Sequence, residues 1–229
     1  MNIVINGGSR GIGREVVLQL AGRPANKIIV AGRNLKALQE LSSHHKNVFS
    51  LVTDLSEFDT QSSGYYEFIS SRFESIDILI NTAGLLISKK FLDYTNPDAR
   101  KIMETNFFGP ASAIRVLRPL MREGAHIVNI SSMGGFQGSS KYSGLSYYSA
   151  SKAAIACLTE CLAAEFSETG IRVNCLALGS VQTEMLEEAF PGYKAPVSAA
   201  VMGKFIAEFA MTGHKIFNGK ILPVAVTNP

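Results

Sequence analysis

The sequence predicts an α/β fold: one doubly wound domain over residues 1–229, with a mostly parallel seven-stranded sheet flanked by helices. Three observations carry this. Short runs rich in Ile and Val alternate with longer helical patterns along the whole chain. Runs such as Ile28-Ile29-Val30 and Ile127-Val128 are continuously apolar, as strands covered by helices on both faces require. A glycine-rich turn from Gly7 to Gly13 joins the first such run to the first helix.

In chain order, strands are expected at residues 3–5, 27–30, 48–52, 76–80, 126–130, 172–178 and 220–226. Helices are expected near 11–20, 35–41, 64–72, 99–121, 148–167 and 197–211. Pro110 interrupts the fourth of these and should break or kink it. The stretch 134–140, rich in Gly and Ser, reads as a loop, and neither a repeat nor a linker divides the chain.

At 229 residues and 46% apolar content the chain can bury a large core. Its net charge of +3 comes from scattered basic residues with no Lys/Arg block, which speaks against nucleic acid and anionic membrane surfaces as partners. The apolar start is too short for a signal peptide, and nothing approaches the roughly 18 apolar residues of a membrane span. Three cysteines, Cys157, Cys161 and Cys175, are too few and too odd for a disulfide framework, so the expected location is the reducing cytoplasm. Cys157 and Cys161 share a helix face, but the histidines are far away in sequence; no metal site is expected, and the two read as small buried thiols.

Glycines in a first strand-to-helix turn allow positive φ and close approach of a pyrophosphate, and the helix N-terminus offers free N–H groups. Gly7, Gly11 and Gly13 are assigned that work, with Ser9, Arg10 and Ile12 completing the loop; the implied ligand is a dinucleotide. The second strand ends in Ala31-Gly32-Arg33-Asn34, where an acid would hold the ribose 2′-hydroxyl of NAD. There is none. Arg33 and Arg10 instead offer planar cationic donors for a 2′-phosphate, which favours NADP(H). Asp54, followed by Leu55 at the end of the third strand, suits either the adenine amino group or a helix N-cap. Asn81, Ala83 and Gly84 end the fourth strand and are expected among the cofactor-binding residues; the small ones admit the cofactor close to the backbone, and Asn81 also helps hold adjacent strands.

Tyr148 and Lys152 stand four apart on one helical face, and no other of the seven tyrosines has a lysine four residues after it. An ammonium about 4 Å from a phenol at an effective dielectric of 20 attracts the phenolate by roughly 4 kcal/mol, enough to lower the phenol's pKa toward working pH before desolvation is subtracted. Ser131 and Ser132 follow the fifth strand; Ser132 can hold a substrate carbonyl while Tyr148 gives or takes the proton, with Ser131 an alternative for that role.

With these residues in place the chain resembles the short-chain dehydrogenases/reductases of the single-domain Rossmann type. The similarity runs through residues 6–13, Asp54, Asn81-Thr82-Ala83-Gly84, Asn106, 127–132, 148–152 and 174–183, nearly the whole chain in family order. It implies that Tyr148 is the general acid/base, that Lys152 lowers its pKa and binds the nicotinamide ribose, that Ser132 orients substrate, and that Asn106 supports a water-linked proton relay. It also implies nicotinamide contacts from Val181 and Thr183, and a homodimer or homotetramer built on the helices carrying Phe107, Phe108, Ile155, Leu158, Leu162 and Phe166. The chain departs from the family at Leu178-Gly179, where Pro-Gly is usual, and in a longer Ser132-to-Tyr148 separation. A short stretch at 185–197 and the lack of a terminal Asp-Gly-Gly suggest an open substrate entrance.

The expected activity is hydride transfer between NADP(H) and a small carbonyl or alcohol substrate. The alternative is a catalytically idle NADP(H)-binding protein that senses redox state or engages a partner; such a module has no need of Asn106, Ser132, Tyr148 and Lys152 together. Sugar epimerisation would require a larger substrate domain than this length allows.

Overall fold

The computed structural model describes residues 1–226; residues 227–229, the end of the expected single domain, lie outside the described residues. In chain order the elements are β1 (Asn2–Asn6), α1 (Gly11–Ala21), β2 (Lys27–Gly32), α2 (Leu35–His44), β3 (Val48–Val52), α3 (Phe58–Ser70), β4 (Ile76–Asn81), α4 (Asn96–Met103) and α5 (Gly109–Leu117). They continue with β5 (Met121–Ser132), α6 (Ser146–Glu165), β6 (Arg172–Leu178), β7 (Val181–Gln182), α7 (Glu184–Ala189), β8 (Val197–Ser198), α8 (Ala199–Thr212) and β9 (Ile221–Val224).

The main sheet runs β3-β2-β1-β4-β5-β6-β9, and every neighbouring pair is parallel. Successive strand residues feed two cores, as the twofold period of a strand dictates. Ile3, Ile5, Ile28 and Val30 pack with Val16, Leu20, Leu38 and Ile206 from α1, α2 and α8. Val4, Ile29, Leu79 and Ile127 pack on the other face with Tyr65, Ile69, Ile114 and Leu117 from α3 and α5. The chain winds outward from β1 to β3, returns to β4 on the other side of β1 and winds out to β9, so a crevice opens beyond the carboxyl ends of β1 and β4.

The sequence places these strands well and the irregular pieces less well. The expected helix over 99–121 divides into α4, a π-turn at Glu104–Phe108, α5 and a short 3₁₀ turn at Arg118–Leu120. Pro110 lacks the N–H that an α-helical register would offer to the carbonyl four residues earlier, that of Asn106, and the wider turn accommodates its ring. β5 begins at Met121, where the helix had been expected to end, and α3 begins at Phe58, which is buried. The two-stranded pair β7–β8 and the six-residue α7 have no periodicity long enough to read.

A row of buried carboxamides ties the strand ends at the crevice floor. Asn6, Asn81 and Asn129 are register partners on β1, β4 and β5. Asn6 donates to Asn81 and Asn81 to Asn129, each at 2.8 Å; Asn129 donates to Thr159 on α6 at 2.9 Å, and the Tyr65 hydroxyl donates to Asn6 at 2.9 Å. Each member would be costly to leave unpaired, by about 1–3 kcal/mol.

Candidate functional site

A cavity of about 650 Å³ occupies the crevice and runs from the glycine loop to the ends of β5, β6 and β9. Its floor at one end is the turn between β1 and α1. Gly7 and Gly11 have φ of 91° and 54°, and a Cβ at Gly7 would collide with the Ala83 backbone. No side chain caps α1, because Arg10 stands at the cap position without an acceptor of its own, and the first turn holds no acid. At Gly84 a Cβ would stand 3.5 Å from Lys152 Nζ, so the absence of a side chain there leaves room beside the ammonium. Free N–H groups, glycine backbone and flanking cations fit a phosphorylated dinucleotide.

Of the expected residues, Gly7, Ser9, Arg10, Gly11, Ile12, Gly13, Arg33, Asp54, Leu55, Ala83, Gly84, Ser132, Tyr148, Lys152, Val181 and Thr183 all line this one cavity. Arg10 and Arg33 are each about half exposed, at 48% and 51% of the side chain. Arg10 pairs with Glu188 on α7 at 2.7 Å, and Arg33 Nη1 lies 3.7 Å from Asp54 Oδ2. Asp54 Oδ1 accepts from the Ser56 N–H and hydroxyl, so this carboxylate caps a short 3₁₀ turn while its other oxygen faces Arg33. Thr183 likewise accepts from the Leu186 N–H as the cap of α7.

Asn81 corrects one expectation and meets another: it lies outside the cavity lining, so it is no cofactor contact there, and its carboxamide ties β1, β4 and β5 together in the buried row. Asn106 also lies behind the lining: its amide donates to the Leu85 carbonyl and Ser151 hydroxyl, both at 2.9 Å, and its Oδ1 accepts from Leu85 N–H at 2.7 Å. With both side-chain donors used, the expected relay through Asn106 is left with its backbone carbonyl, the group that Pro110 cannot bond.

At the other end, Ser131 and Ser132 separate by role. Ser131 is buried and donates to the Lys152 carbonyl at 2.6 Å, fixing α6 to β5. Ser132 accepts from Gly134 N–H and lies close enough to interact with the Tyr148 side chain. Lys152 is buried, its Nζ donating to the Ile130 carbonyl at 2.9 Å, and desolvation pulls its pKa down to about 8. The ammonium lies 5.9 Å from the centre of the Tyr148 ring.

The expectation that Lys152 lowers the pKa of Tyr148 is corrected by this arrangement. Burial raises the phenol above its ordinary value, and the interaction with Ser132 opposes the rise. Lys152 Nζ is turned to the Ile130 carbonyl, and Lys152 is not among the groups that shift the phenol. At neutral pH Tyr148 is therefore a protonated phenol.

Sequence reasoning missed Tyr142, Met185, Leu186, Phe190 and Tyr193, which line the far end of the cavity from loops and α7. No local pattern marks them. Met185 and Leu186 of α7 border the cavity, and the exposed Arg10–Glu188 pair joins this helix to the glycine loop. Cys157 and Cys161, expected to be buried, are exposed on α6, whereas Cys175 is buried. Among the described residues no cluster of ligands suits a metal, and no helix is long and apolar enough to cross a membrane.

Residues 1–194 match the family described as short chain dehydrogenase. A Mus musculus protein named dehydrogenase/reductase SDR family member 7B is 34% identical over 224 residues, 91% of this chain and 67% of that protein. A chloroplastic tropinone reductase homolog of Arabidopsis thaliana is 34% identical over 195 residues, 82% of this chain and 59% of its own length. This chain thus spans roughly three fifths to two thirds of those relatives. In fold it resembles a Burkholderia cenocepacia short chain dehydrogenase solved in complex with NADP, with a TM-score of 0.86, 22% identity and coverage of 97% of this chain and 95% of that one.

Proposed function

The chain belongs to the short-chain dehydrogenase/reductase family of oxidoreductases, and from that membership we propose that it is an NADP(H)-dependent enzyme moving hydride between nicotinamide and a carbonyl or alcohol carbon, in the direction of carbonyl reduction. The observation that carries this reading is the meeting of Ser132, Tyr148 and Lys152 in the same cavity as the glycine loop, Arg10 and Arg33. NADPH, when bound, supplies the hydride. The Ser132 hydroxyl orients the substrate carbonyl, and Tyr148, protonated at neutral pH, delivers its proton to the carbonyl oxygen. Lys152 Nζ, which stands beside Gly84, is suited to hold the nicotinamide ribose hydroxyls. The Asn106 carbonyl offers a place for a water that returns the proton from solvent. Val181 and Thr183 contact the nicotinamide end, and Asp54 the adenosine end.

NADP(H) is favoured over NAD(H) because β2 ends in Gly32-Arg33-Asn34 with no acid, and two half-exposed guanidiniums border that end of the cavity. Replacing Arg10 and Arg33 together by alanine should weaken NADPH binding by about 100-fold or more, since each charge-assisted contact to a phosphate is worth roughly 1.5–3 kcal/mol. NADH binding should hardly change. Titration of both nucleotides against both proteins reads the effect, and wild-type protein that prefers NADH refutes the assignment.

The same reading includes a homodimer or homotetramer. Ile155 is buried in its own subunit, and Leu162 and Phe166 pack on the core. Exposed positions of α6 include Ala150, Ala153, Cys157 and Cys161 together with Glu160 and Glu165, and Phe108, just before α5, is 48% exposed. Light scattering at micromolar concentration should give a multiple of the 24.7 kDa chain mass; a monomer would count against it.

A further inference from the structure

The charged groups that line the cavity are not spread evenly along it. Arg10, Arg33 and Asp54 stand at the ends of β1, β2 and β3. Glu184 sits against the glycine loop, its Oε2 3.5 Å from where a Cβ of Gly11 would be. Lys152 is buried and donates to the Ile130 carbonyl. Among the described residues these five are the charged side chains of the lining. The rest of the lining, which includes Met133, Leu145, Met185, Leu186 and Phe190, is uncharged, with hydroxyls interspersed.

Two of those hydroxyls, Ser180 and Tyr193, lie 3.1 Å apart and engage each other. Arg10 is held by Glu188 of α7 at 2.7 Å. A carboxylate or phosphate placed against this part of the lining therefore finds neutral donors and thioether and aromatic surface, but, among the described lining residues, no cation other than those already paired or bonded. The Met185 methyl lies 3.9 Å from a Cβ built on Gly84, so a flexible apolar side chain roofs the space beside the reacting groups.

Building on the proposed oxidoreductase reading, we propose that the substrate half of the cavity selects uncharged, apolar carbonyl compounds such as aryl and branched ketones, and excludes carbonyl compounds that carry a carboxylate or phosphate. A buried anion with no partner is penalised in binding and in the transition state alike. An apolar ring gains by covering Met185, Leu186 and Phe190.

The test uses a matched pair, methyl 4-acetylbenzoate and 4-acetylbenzoate, which differ in charge at the ring position remote from the ketone. With NADPH-loaded protein, kcat/KM for the ester should exceed that for the acid by at least about 30-fold. Phe190→Arg should shrink that ratio by about tenfold or more by supplying a cation. In parallel, saturation-transfer NMR on the NADP⁺-bound protein reads binding without turnover. Ester binding without acid binding, in a protein that reduces neither, keeps this inference and refutes the oxidoreductase reading. Equal binding or equal reduction of acid and ester overturns the inference, as does failure of both compounds to bind.

Discussion

Tyr148→Phe is expected to lower kcat by about 10²–10⁴-fold, the range that positioned general acids supply, with NADPH affinity within about twofold of wild type. The substitution removes one oxygen from a half-buried ring and leaves the glycine loop, Arg10 and Arg33 untouched. The phenol matters because it holds its proton: burial raises its pKa, so the acid form needed to protonate a developing alkoxide dominates at neutral pH. The reverse reaction needs the phenolate. Alcohol oxidation should therefore speed up as pH rises toward the phenol's pKa, while carbonyl reduction should not gain. Initial rates in both directions across pH, with nucleotide titrations of the variant, measure this. Undiminished turnover in Tyr148→Phe would remove the residue from the chemistry.

Lys152→Met should abolish most activity and yet make the protein more stable. Lys152 is 4% exposed, and desolvation pulls its pKa from 10.5 down to about 8. Because the folded pKa lies below the unfolded one, the unfolded chain binds more protons between those values. Wild-type stability should rise as pH climbs from about 8 to 10.5, and below that window the full penalty of about 3 kcal/mol applies. Methionine fills similar volume without the charge but leaves the Ile130 carbonyl unpaired, which returns about 1 kcal/mol or more. A net gain of about 1–2 kcal/mol should raise Tm by several degrees at pH 7, at roughly 2–4 °C per kcal/mol for a chain of this size. Thermal melts at pH 7 and pH 10 should differ for wild type through this group and much less for the variant. A Lys152→Met protein less stable at pH 7 would contradict the cost assigned to the buried ammonium.

What could be read from the sequence was what is local. The Gly7–Gly13 turn and the Tyr148/Lys152 spacing each lie within a few residues, and the covered strands declare themselves by runs such as Ile28-Ile29-Val30. The direction of a long side chain is not local. Spacing puts Lys152 on the face of Tyr148, yet the Ile130 carbonyl, which captures Nζ, comes from a different element. Asn81 reads as a cofactor contact because it sits next to Ala83 and Gly84. Only the register across β1, β4 and β5 turns it into the middle of a row from Tyr65 to Thr159. A signal existed: Asn6, Asn81 and Asn129 each stand near the carboxyl end of an apolar run. Cys157 and Cys161 were misplaced because small residues suit either face of a helix. The substrate-facing residues Met185, Phe190 and Tyr193 lie on a segment folded back by the β7–β8 pair and the Arg10–Glu188 contact, both made between residues distant in the chain.

Single-turnover mixing of the NADPH-loaded protein with a neutral aryl ketone, followed by the nicotinamide absorbance, decides between enzyme and binding module. Oxidation of NADPH with formation of an equal amount of alcohol, lost in Tyr148→Phe, is the expected result. Tight NADPH binding with no oxidation across ketones, aldehydes and quinones would contradict it, leaving a protein that binds the nucleotide to sense redox state or engage a partner.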